Sequence, residues 1–170
     1  MKGTGNEIPS SIKVLIEKEF ASYRIPKQKD IQGVWKDRID QKRSTYYTSG
    51  DFDGNGLEDL AMILLGQKDW KLVAFHQISK GQYKAYPFGT FVGDDQLFTV
   101  EHSTQRFYLS TLKKCQKPGT KGKEWSSSTF LYDTILLIEN ESSPSAQLYR
   151  WSSGAYYVIA YTSEGSSFSD

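Results

Sequence analysis

From Asp59 onward the apolar residues come in runs of strand length, each closed by turn residues. "LAMILLG" (60–66) and "KLVAFHQI" (71–78) are parted only by "QKDW", which reads as a hairpin. "GQYKAYPF" (81–88) is a further strand that ends near Pro87. "QLFTVEH" (96–102) and "QRFYLSTL" (105–112) read as two more. "STFLYDTILLIEN" (128–140) predicts one long strand with room for a bulge. "AQLYRW" and "AYYVIAYT" flank "SSG" and predict a last hairpin. Consecutive strands on short loops favour an antiparallel meander.

The first part of the chain has a different period. Ile12, Leu15, Ile16 and Phe20 recur at helical spacing, with Lys13, Glu17, Lys18 and Glu19 toward the other side. Pro9 and the serines after it suit a helix start, and Pro26 follows its end, so a helix is predicted over Ser10–Tyr23. Residues 27–48 fit either a short helix or an irregular crossing segment. The expected fold is α+β: one N-terminal helix on a mostly antiparallel, meandering sheet. A chain of 170 residues makes this one domain, 1–170, with 1–9 and 163–170 as flexible ends.

Bulk properties remove several function classes. The net charge of +1 lacks the basic excess that nucleic-acid binding needs. One cysteine, Cys115, allows neither an internal disulfide nor a cysteine zinc cluster; it is either an incidental thiol or one activated by nearby lysines. No run approaches the roughly 18–20 apolar residues of a membrane span. The start, "MKGTGNEIPSS", has no apolar signal core. Either no export signal is used or one has been removed.

"DFDGNGLEDL" (51–60) carries the most specific chemistry. Asp51, Asp53, Asn55 and Asp59 offer side-chain oxygens at positions one, three, five and nine, and Leu57 at position seven offers its carbonyl. Gly56 permits the sharp turn, and Gly54 relieves crowding. A set made only of oxygens suits Ca²⁺, Mg²⁺ less well, and Zn²⁺ poorly. An EF-hand begins in the same way but needs a glutamate at position twelve, where this chain has Met62. Asp, Asn and Gly also cluster in ordinary solvated turns, so an ion-free turn stays open.

The segment is similar to the calcium loop of integrin-type FG-GAP and VCBS repeats, D-x-D-G-N-G-x-x-D-L, and matches every element over about ten residues. The resemblance implies ligand roles for Asp51, Asp53, Asn55, Leu57 and Asp59, and Ca²⁺ as the ion. FG-GAP domains are propellers of several repeats. With one copy, this chain cannot close a propeller, and propeller-face ligand binding does not carry over. More loosely, the helix ending "YRIP", the "GDFDGNGLEDLAMIL" loop and strand, and the "LYRWSSGAYYVIAYTSE" hairpin resemble small exported bacterial proteins with a single such loop. That likeness implies a periplasmic or secreted setting, where calcium is plentiful.

Elsewhere the chemistry is sparse. His76, inside an apolar run, reads as a hydrogen-bonded sheet residue rather than a base. Glu101 and His102 are adjacent, so on a strand they face opposite ways. Asp94 and Asp95 are turn acids that could pair with Glu101. "GTKGK" lacks the spacing of a phosphate loop. Lys113, Lys114, Lys117, Lys121 and Lys123 concentrate positive charge in one loop, either as a dock for an acidic partner or as a solvated connector. Trp151, among the aromatics of the last hairpin, is a second contact candidate. The expected function is non-enzymatic protein–protein contact by a calcium-stabilised domain, with an unidentified protein partner. Two alternatives remain: an inhibitor or immunity protein against a cell-wall enzyme or toxin, and a hydrolase with a scattered acidic site.

Overall fold

The computed structural model describes residues 8–27, 46–92, 107–112, 132–139 and 145–162. They form one helix and eight strands. Helix α1 spans Ser10–Glu19. The strands are β1 Tyr47–Gly50, β2 Asp59–Leu65, β3 Asp69–Ser79, β4 Gln82–Val92, β5 Phe107–Leu112, β6 Thr134–Glu139, β7 Ser145–Ser152 and β8 Ala155–Thr162. The fold is α+β with antiparallel pairing throughout. The meander is divided into two four-stranded sheets, ordered β1-β2-β3-β4 and β5-β6-β7-β8.

The layers follow from side-chain parity. All seven residues of β2 are buried, because both of its faces are covered. Ala61, Ile63 and Leu65, with Trp70, Leu72 and Ala74 of β3, face the second sheet and meet Leu109, Ile135, Leu137 and Tyr149. Leu60, Met62 and Leu64, with Val73 and Phe75, face α1 and meet Ile8, Ile12, Ile16 and Phe20. The first sheet is therefore the middle layer. Ile8, at the start of the described residues, belongs to the helix-side core.

Three local expectations change. The helix stops at Glu19 rather than Tyr23. Phe20 leaves helical geometry and sets its ring edge-on to Phe75, and Arg24 exchanges two backbone hydrogen bonds of 2.8 Å with Leu65 at the sheet edge. Sheet pairing here outweighs helix propensity. Strand β4 runs past Pro87 to Val92, because it is an edge strand and a bulge between the Leu72–Gly89 and Val73–Pro87 pairs absorbs the proline. The long strand over 128–140 is shorter among the described residues: β6 begins at Thr134, and Tyr132 and Asp133 precede it in a bend. The segment over 27–48 ends in β1, which pairs with β2. The strand expected over 96–102 lies outside the described residues.

Candidate metal centre

The acidic segment is the β1–β2 connection, and backbone amides shape it. Asp51 Oδ1 accepts from the Gly54 N–H at 2.9 Å, and Oδ2 from the Gly56 N–H at 3.2 Å. Asp53 Oδ1 accepts from the Asn55 N–H, and Asn55 Oδ1 from the Leu57 N–H. Each acid thus folds the chain ahead of it into a tight turn. Gly54 and Gly56 take the turns at φ of 79° and 81°. Gly54 also lies under the Tyr132 ring, where a Cβ would come within 2.0 Å of Cε1.

Two anchors tie the loop to the rest of the molecule. Phe52 points inward and is buried between the sheets. Asp59, at the start of β2, is 0% exposed; its Oδ2 accepts from the Phe52 N–H at 2.9 Å and its Oδ1 from the Gln77 N–H at 2.8 Å. The Asn55 side-chain amide also reaches β3, donating to the Gln77 carbonyl at 2.9 Å. Burial pushes the Asp59 carboxyl up to about 6; the amides of Gln77 and Phe52 oppose that rise, and the Asp53 charge adds to it.

The register that pairs Leu60 with Phe75 puts Asp59 opposite His76, on the face toward the second sheet. The His76 ring is 1% exposed. Its Nδ1 lies 3.4 Å from Asp53 Oδ2, and its Nε2 is 2.7 Å from the Tyr156 hydroxyl. Trp151 and Tyr86 close around it, with ring centroids 4.5 and 4.7 Å from that of His76. Burial lowers the His76 pKa, against the pull of the Asp53 and Asp51 charges, and so favours neutral imidazole. Burial raises the Tyr156 pKa well above the ordinary phenol value and keeps the hydroxyl protonated.

Of the expected ligands, Asp53 and Asp59 come together, and each has an atom within 4.8 Å of the other and of His76. Asp51 and Asn55 shape the loop through its amides, and Leu57 donates its N–H to Asn55. His76 was not among the expected ligands. The register decides this: the observed turn pairs Leu65 with Trp70 and so sets His76 across from Asp59, whereas a turn placed at "QKDW" would set Ile78 there. Trp151 packs within the protein, against His76, Tyr86 and Tyr156. Among the described side chains of that hairpin Tyr157 and Val158 are the exposed large residues, at 52% and 57%. The five lysines, Cys115, Asp94, Asp95, Glu101 and His102 lie outside the described residues.

Compared with protein families, curated proteins and solved structures, the chain matches none.

Proposed function

We propose that the 51–59 loop is a divalent-cation clamp whose ion is Ca²⁺ and whose role is structural, in a domain that acts by protein contact outside the cytoplasm. The ligands in this reading are Asp51, Asp53, Asn55, the Leu57 carbonyl and Asp59. The observation that carries it is Asp59: a carboxyl with no exposure, set beside the Asp53 carboxyl and fixed by two amides. A cation would relieve both the burial and the repulsion, while hard oxygen donors in a short loop favour calcium. The structural role rests on position. The loop inserts Phe52 between the sheets and is tied to the second sheet through Asp133, so holding it holds the sandwich.

The protein-contact part of the proposal rests on the exposed Tyr157 and Val158 of β8 and on the lysine-rich stretch 113–123. Among the described residues no helix is long and apolar enough to cross a membrane. Calcium titration tests the ion. At a concentration of about 100 Kd, binding to the native state adds about 2.7 kcal/mol, and each kcal/mol raises Tm by about 2–4 °C at this size. Absence of calcium heat, with melting indifferent to EDTA, rejects the clamp.

A further inference from the structure

We propose that Asp53, Asp59 and His76 form an inner ion position, facing the second sheet, that takes a divalent transition ion such as Zn²⁺ in competition with calcium. The inference rests on the cation-clamp reading of the loop and adds a nitrogen ligand to it. The ligating atoms of the three residues lie within 4.8 Å of one another, close enough to share one ion. The contact between His76 Nδ1 and Asp53 Oδ2, at 3.4 Å, is longer than the roughly 2.7–3.2 Å of an N–H···O hydrogen bond. It matches the separation of about 3.3 Å between two ligands placed 2.0–2.1 Å from one tetrahedral ion.

The far side of the ring supports the same assignment. A ligating histidine is normally oriented by a hydrogen bond at its other nitrogen. His76 has a hydrogen bond there, between Nε2 and the Tyr156 hydroxyl at 2.7 Å. Tyr156 is itself held by Phe88, centroid to centroid at 4.5 Å, and by Trp151 at 5.1 Å. In the tautomer that carries its proton on Nε2 and donates it to Tyr156, the Nδ1 lone pair faces Asp53 Oδ2. An ion between His76 and Asp53 selects this tautomer, because a lone pair facing a carboxylate is otherwise unfavourable. Imidazole with carboxylates suits Zn²⁺ or other first-row transition ions, whereas calcium prefers oxygen alone. Because Asp53 and Asp59 serve both ions, the two compete.

The test uses the full chain with ¹⁵N-labelled histidine, Zn²⁺ and Ca²⁺ as probes, and NMR of the ring nitrogens. His102 is the one other histidine, so a H102Q control assigns the signals. The expected result is a stoichiometric Zn²⁺-dependent shift of His76 Nδ1, unchanged in H102Q, together with loss of the calcium heat in zinc-loaded protein. H76Q should bind calcium as the parent does and lose Zn²⁺ affinity by more than the roughly 10–100-fold typical of an outer-shell change. If H76Q does not fold, the unmutated protein still gives the answer. Calcium binding with no zinc shift at His76 Nδ1, or with both ions bound at once, overturns this inference and leaves the clamp intact. No binding of either ion overturns both.

Discussion

Asp133 and Asp51 bind each other reciprocally across the two sheets. The Asp51 N–H donates to Asp133 Oδ2 at 3.1 Å, and the Asp133 N–H donates to the Asp51 carbonyl at 3.1 Å. The first bond needs a side-chain acceptor and the second does not. Asp133→Ala should therefore leave a partly buried N–H without its acceptor and cost about 1–3 kcal/mol. Asp133→Asn keeps an acceptor oxygen and should cost less. Urea denaturation of the three proteins checks the order; equal midpoints would mean that the Asp133 side chain does not hold the loop.

Gly54 carries two separable constraints, its φ of 79° and the Tyr132 ring above it. A Cβ in the left-handed region costs about 1–2 kcal/mol by itself. Gly54→Ala should cost more than that in the parent, because the ring must move. In a Tyr132→Ala background the same change should cost only the backbone part. A double-mutant cycle on ΔG of unfolding measures the difference. Additive costs would mean that the ring moves aside freely.

How far the sequence reveals this protein depends on how local each feature is. Helix α1, the β2–β3 hairpin and the β7–β8 hairpin are readable because period and turn residues lie within a few positions of one another. The oxygen donors of "DFDGNGLED" are readable for the same reason. The division into two sheets is not, because strand order alone does not state which edges stop pairing. The two sheets meet at β1 and β5 through contacts such as that from Thr111 Oγ1 to the Ser49 carbonyl at 3.0 Å, rather than through a ladder. Strand β1 is not legible either, since "YTSG" has little apolar content and is recruited by β2. His76 falls between these cases: its strand was plain, but its neighbours come from three distant segments.

Thr134 offers a test of the core beside the loop. Its hydroxyl is buried and has no hydrogen-bond partner among the described residues. An unsatisfied buried hydroxyl costs about 1–3 kcal/mol relative to its hydrated state. Thr134→Val keeps the shape and β-branching and removes that cost, so it should raise stability by about 1 kcal/mol. Chemical denaturation is the measurement. A loss of stability would show that the hydroxyl has a partner, such as a buried water.

Phe52 and Asp51 are neighbours in the loop with separate tasks, and their variants should separate packing from ion binding. Phe52 is buried between the sheets, among residues from both of them. Truncating a buried phenylalanine removes apolar surface and leaves a cavity, at about 3–5 kcal/mol. That loss should appear in EDTA as well as in calcium, because the contact involves no ion. Asp51→Ala removes the acceptor for the Gly54 and Gly56 amides, a smaller loss in EDTA of about 1–3 kcal/mol, since these groups are exposed enough to turn to water. In calcium the gap between the two should narrow or close, because Asp51→Ala forfeits the whole ligand-linked stabilisation while Phe52→Ala retains part of it. Melting each variant with EDTA and with excess calcium gives four values. If calcium raised the Tm of Asp51→Ala as much as that of the parent, Asp51 would be a turn former alone. The ion would then belong to Asp53, Asp59 and the groups around them.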